Sequence, residues 1–159
     1  MKKQRWSIGP KFVEHHLDTR LFECVREAAE FLPPGYTLEF VSGFRKGDKR
    51  FHGKGMALDV QIIDEDGNRL PNYQDAQNFR TYEEFAQVVR RIQLNKYPKL
   101  NLRFGGYFSG HKGKYGALDM MHFDIAHVPM GGGSWENGLT EQQKKYFPGA
   151  FSKGMEHVR

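Results

Sequence analysis

His52-Gly53-Lys54-Gly55-Met56-Ala57-Leu58-Asp59-Val60-Gln61-Ile62-Ile63 is the stretch on which the architecture turns. From Met56 onward apolar and polar side chains alternate, with Leu58, Val60 and Ile62 on one side and Ala57, Asp59 and Gln61 on the other. A period of two predicts a strand with one buried face. Asp59 then stands on the polar face, where a carboxylate in mid-strand is costly unless it is paired or bound to a metal. The glycine-rich segment before it delivers His52 to the start of the same strand. His52 can therefore serve Asp59 as a hydrogen-bond partner or as a fellow ligand.

Upstream, Tyr36 to Val41 also alternates and predicts a second strand, with Lys46 to Lys54 as a charged connecting loop. Before that, Leu17, Leu21, Val25, Ala28 and Leu32 recur at helical spacing. Asp18 or Thr19 is placed to cap this helix and Pro33-Pro34-Gly35 to end it. Cys24 lies on the stripe and reads as a small buried hydrophobe rather than a nucleophile. The residues before Leu17 read as a short polar arm.

Downstream, Asp64-Glu65-Asp66-Gly67-Asn68 predicts a turn and lacks the spacing of a calcium loop. Thr81-Tyr82-Glu83-Glu84 has the form of a capping box, continued by Phe85, Val88, Val89 and Ile92 to a stop between Asn95 and Pro98. Leu100 to Phe108 and Leu118 to Val128 predict two further strands, joined by a connector rich in Gly and Lys. Thr140-Glu141-Gln142-Gln143 predicts a last short helix. Helices and strands thus mix along the chain. The expected fold is α+β, a small antiparallel sheet packed against helices, with the polar site on the open face of the sheet.

The chain has 159 residues, 38% of them hydrophobic, which suits one domain over residues 1–159 and excludes wholesale disorder. A net charge of +5 favours anionic partners without choosing among them. One cysteine excludes an internal disulfide. No apolar run has the length of a signal peptide or a membrane span, so the expectation is synthesis in the cytoplasm without membrane insertion. With no heptad pattern legible, a monomer is expected.

The second chemical segment is Leu118-Asp119-Met120-Met121-His122-Phe123-Asp124-Ile125. It again sets His and carboxylates into an apolar strand. His52, Asp59 and His122 on neighbouring strands provide three ligands for zinc, and three protein ligands leave a fourth position for water, as in catalytic sites. Asp119 is then available as general base. Three residues separate it from His122, which on a regular strand points it to the opposite face, so Asp119 must precede the strand or sit at an irregularity. Asp124 shares the face of His122 and either orients that ring or pairs with a nearby Lys or Arg. On spacing alone, each of these residues reads more readily as a satisfied polar core residue than as part of a site, and Arg45 as an ordinary loop cation.

Taken together, Ser42-Gly43-Phe44-Arg45, His52-x-x-Gly55-x-Ala57-x-Asp59, Leu102 to Phe108 with its aromatic-Gly-Gly core, and Asp119-x-x-His122-Phe123 closely resemble one group of zinc peptidases. These are the D-alanyl-D-alanine carboxypeptidases and dipeptidases and the phage L-alanyl-D-glutamate endopeptidases. The resemblance spans residues 36–125 and leaves 129–159 as a C-terminal extension. It implies zinc on His52, Asp59 and His122, Asp119 as catalytic base and Arg45 on the substrate carbonyl or carboxylate. Gly55 and Ala57 would allow close backbone approach in the cleft. Ser42, His111 and Tyr107 are its candidates for lining that cleft. Asp rather than Glu at position 119 resembles the phage branch. That branch implies peptidoglycan stem peptides as substrate and holin-type release, or carriage on the virion, as the route to the wall.

Two other readings stand beside it. One is a D,D-carboxypeptidase of the same group. The other is a basic nucleic-acid-binding or metal-nuclease domain, resting on the charge and on Phe44, Phe51, Tyr107 and Phe108 near basic residues. Dispersed Lys and Arg and the absence of a nucleic-acid motif weigh against nucleic acid as a partner.

Overall fold

Alternation in the central strand translates directly into burial. In β3 (Ala57–Ile63) Leu58, Val60 and Ile62 are fully buried, while Asp59, Gln61 and Ile63 are half-buried on the other face. A computed structural model describes residues 4–71, 76–108, 118–125, 135 and 138–147. β2 (Thr37–Ser42) runs antiparallel to one side of β3 and β5 (His122–Ile125) to the other, with β4 (Leu102–Phe104) antiparallel to β5. With β1 (Trp6–Ile8) the described residues form a five-stranded sheet in the order β1-β2-β3-β5-β4.

The mixed α+β architecture agrees with the sequence reading, but the sheet is not wholly antiparallel. β1 runs parallel to β2, so the N-terminal arm is an edge strand. Three residues are too few to show a periodicity, and long-range contacts hold them. The Arg5 guanidinium donates to the carbonyls of Tyr36, Leu32 and Pro33. Trp6 packs edge-on against Phe22 and Phe40.

Helix α1 (Thr19–Ala28) starts where Asp18 accepts the N–H groups of Arg20 and Leu21, a cap worth about 1 kcal/mol. Its buried stripe includes Leu21, Cys24, Val25 and Ala28, and Phe22 stacks on Phe40 at 4.7 Å. Helix α2 (Ala76–Lys96) begins before the capping box, whose residues therefore lie inside the helix. Arg80 is paired there with Glu83 and Glu84 at 3.6 and 3.2 Å, the spacing that supports a helix interior. The Tyr82 hydroxyl on α2 accepts the Ile62 N–H at 2.9 Å and donates to the Leu70 carbonyl at 2.7 Å. It thereby occupies the edge of β3 beyond the reach of β5. No helix among the described residues is long and apolar enough to cross a membrane.

Of the two late strands, β4 is shorter than expected and β5 starts later. β4 gives way at Gly105 to a 3₁₀ turn (Gly105–Tyr107), and β5 is preceded by a turn in which the His122 N–H bonds the Asp119 carbonyl at 3.1 Å. The two turns touch: a Cβ on Gly105 would lie 2.3 Å from the Asp119 oxygen. Only glycine lets the backbones approach so closely, and that contact ends both strands. From the C-terminal extension, Trp135, Leu139 and Phe147 are buried in the core, next to the short helix α3 (Glu141–Lys144). Phe147 packs on Phe79 at 4.8 Å and the Trp135 ring stacks over Phe104.

Candidate metal centre

The helices cover one face of the sheet, and the other carries the charges. Cross-strand partners share a face, and the register sets Asp59 opposite His122 and Arg103 opposite Asp124. On the β2 side the ladder slips: Phe40 pairs with Val60, but Ser42 pairs with Asp59. The irregularity at Val41 is a β-bulge, which turns Ser42 from the core face to the face of Asp59 and re-aims the chain that follows. Arg45 is thereby carried to Asp59, with Nη2 to Oδ2 at 3.0 Å.

His52 arrives from a 3₁₀ turn (Phe51–Lys54) closed by Gly55, whose φ is +69°. A Cβ there would lie 1.8 Å from the His16 carbonyl. Gly55 is therefore small for the sake of the N-terminal segment packed on it. The buried His52 ring donates Nδ1–H to the Gly43 carbonyl at 2.9 Å, because a carbonyl can only accept, and turns Nε2 toward Asp59 Oδ2 at 3.3 Å.

His122 is held from both sides. Nε2 lies 2.8 Å from Asp124 Oδ2 and Nδ1 lies 3.1 Å from Asp59 Oδ1. Burial opposes a charge on this ring, but hydrogen bonds to Asp124 and Asp59 outweigh it and push its pKa up to about 9. Burial likewise raises the Asp59 carboxyl, yet the bonds from His122 and His52 bring it well below the usual carboxylate range. Asp124 is lowered in the same way, burial being outweighed by His122 and Arg103.

The ligand atoms of His52, Asp59 and His122 lie within 4.8 Å of one another. Two donors bound to zinc at about 2.0–2.1 Å with tetrahedral angles sit roughly 3.3 Å apart. The separations of 3.3 and 3.1 Å are of that order, each to a different oxygen of the Asp59 carboxylate. Each imidazole has its outer nitrogen tied, His52 to a carbonyl and His122 to a carboxylate, which leaves the inner nitrogen to face the cluster. Two imidazoles and one carboxylate are also the donor chemistry zinc takes in catalytic sites. The residues fit the ion.

Asp119 sits just before β5, as its spacing requires. Its N–H bonds the Gly105 carbonyl at 2.8 Å, and its Oδ1 accepts the Met121 N–H at 3.3 Å. Tyr107 does not stand where its place beside the cleft motif suggested. It is 2% exposed and its hydroxyl donates to buried Glu83 at 2.7 Å, so it braces the core instead of lining a cleft. His111 lies outside the described residues. Asp124 contacts His122 and also accepts a two-pronged bond from Arg103 at 2.6 and 2.7 Å, so the two arrangements foreseen as alternatives occur together. Sequence reasoning missed Arg103 because a lone Arg in an apolar strand carries no motif. Phe51 and Phe108, which suggested stacking platforms for bases, pack instead on that guanidinium at 5.2 and 4.7 Å.

No protein-family model and no curated protein matches the chain. Among solved structures, the Serratia marcescens L-Ala D-Glu endopeptidase ChiX matches with a TM-score of 0.52 at 15% identity, over 72% of this chain and 90% of that one. The likeness is one of fold. It runs through most of the ChiX chain.

Proposed function

We propose that this chain is a zinc-dependent peptidoglycan peptidase that hydrolyses the L-alanyl-D-glutamate bond of stem peptides. One observation carries the reading: His52, Asp59 and His122 converge on the open face of the sheet with both outer imidazole nitrogens tied back. Sharing a fold with an L-Ala D-Glu endopeptidase supports the substrate class. The net charge of +5 assists approach to anionic envelope material. Asp at position 119 supports the phage-type lytic branch.

His52, Asp59 and His122 would hold a zinc ion, which would supply Lewis acidity toward the scissile carbonyl and a water that ionises near neutrality. Asp119 accepts the proton of the attacking water at a carboxylate oxygen and passes it to the departing nitrogen. Arg45, whose guanidinium is half exposed beside Asp59, donates N–H bonds to the oxygen that gains charge in the transition state. Ser42, turned to the same face by the bulge, lies beside the path of the substrate.

The test is digestion of purified Gram-negative peptidoglycan by zinc-loaded and EDTA-treated protein, with mass spectrometry of the products. Fragments with a new N-terminal D-glutamate, formed only with zinc, support the proposal. Release of one D-alanine from intact stems would replace it with the carboxypeptidase reading. No zinc-dependent product from several wall types would overturn both.

A further inference from the structure

We propose that Arg103 is a positioning residue for the metal centre, fixing the orientation of His122 through Asp124; this rests on the metal reading given above. Arg103 and Asp124 are register partners on β4 and β5, both buried, with side chains 8% and 1% exposed. Nε of the guanidinium donates to Oδ1 and Nη2 to Oδ2. Such a fork fixes the carboxylate in its plane. Oδ2 is also the atom that meets His122 Nε2 at 2.8 Å. The direction of the Arg103 fork therefore sets where Asp124 accepts, and that acceptor sets which way the His122 ring presents Nδ1.

The surroundings favour this role over an ordinary structural ion pair. Replacing a buried pair by apolar residues of similar volume is often neutral or stabilising, so fold stability alone is a weak reason to place one here. The guanidinium is held over Phe51 and Phe108. Phe51 opens the turn that carries His52, and Phe108 packs on the His122 ring at 5.7 Å. Arg103 thus touches the immediate supports of both histidines. Its charge also offsets Asp124, so the outer carboxylate orients His122 without adding net negative charge to the cluster.

The experiment compares wild type, Arg103→Gln and Arg103→Lys in two measurements, each made well below the melting temperature of the variant. The first is zinc affinity by competition with a chromophoric chelator. The second is the His122 Nε2–H resonance in ¹H–¹⁵N spectra of metal-free protein, a proton that exchanges slowly while Asp124 holds it. R103Q is expected to lower zinc affinity about tenfold to a hundredfold and to lose the protected resonance. R103K, which keeps charge without the fork, is expected to fall between. A purely structural role would lower the melting temperature and leave both readouts unchanged. Zinc held equally by wild type and R103Q overturns this proposal alone. Zinc held by neither overturns it together with the metal reading.

Discussion

Asp59 and His122 stand directly opposite each other on β3 and β5, their side chains meeting at 3.1 Å although 63 positions separate them in sequence. The same carboxylate reaches His52 and Arg45 with its other oxygen. One Asp in the middle of a strand is therefore the hub that joins loop, strand and cation. The open face is polar because of this arrangement.

The division of labour around that hub is separable by substitution. His52→Ala, Asp59→Ala and His122→Ala are each expected to lose both bound zinc and hydrolysis. Asp119→Ala is expected to keep zinc and lose turnover by about 10²- to 10⁴-fold, the usual contribution of a general base. Metal content and rate measured on the same preparations check this. A near-normal rate in the Asp119 variant would remove that residue from the role of base.

Gly105 tests the contact between the two turns. A methyl group there would lie 2.3 Å from the Asp119 carbonyl and 2.9 Å from the His122 Cβ. Gly105→Ala is expected to destabilise the fold by about 1–3 kcal/mol through overpacking. It should also slow hydrolysis by roughly a hundredfold, since displacement of about an ångström is enough for that. Denaturant titration and rate measurement on one variant read both effects. An unchanged rate would show that the turn carrying Asp119 relaxes without consequence.

Cys24 is fully buried on the inner stripe of α1, and burial pushes its thiol pKa up to about 11. Thiolate is the reactive form, so a thiol reagent is expected to leave the native protein unlabelled at pH 8. One equivalent should react once denaturant unfolds the chain. Labelling of the native state at the rate of a free thiol would contradict this packing.

On the same open face, the two carboxylate oxygens of Glu39 receive the Arg69 guanidinium at 2.7 and 2.9 Å, which holds the Glu39 pKa below its ordinary 4.5. In the unfolded chain this group takes up its proton at a higher pH than in the folded one. Its stabilising effect is thus complete above about pH 5 and is lost as pH falls through the folded value. Metal-free wild type is expected to melt above Glu39→Gln at pH 6, with the gap narrowing as the pH falls below the ordinary 4.5. A gap that widened on acidification would reverse the sign of this linkage.

Local pattern made much of this legible. The alternation from Met56 to Ile63 is β3, the stripe behind Asp18 is α1, and of the two places the spacing left for Asp119, before the strand or at an irregularity, the structure takes the first. Features decided by distant partners were not legible. β1 is held by Arg5 on carbonyls about thirty positions away, and Arg103 meets Asp124 21 positions on. Tyr107 looked like a cleft residue because nothing near it in sequence reveals Glu83, 24 positions back on α2. The bulge at Val41 is hidden for another reason: Tyr36 to Val41 alternates cleanly, and only the register with β3 shows the slip.

The long separation of Asp59 and His122 also bears on when the centre exists. His52 and Asp59 are near neighbours in the chain, but the third donor lies beyond α2 and β4 in sequence and joins them only when β5 pairs with β3. Closing so distant a contact is slow relative to local structure. An unfolded chain offers zinc no ready claw, so the ion is expected to enter a nearly finished protein. Its effect should appear in the unfolding limb of a chevron plot, with refolding rates nearly the same whether zinc is present or chelated. The metal centre would then act as a latch on the completed sheet.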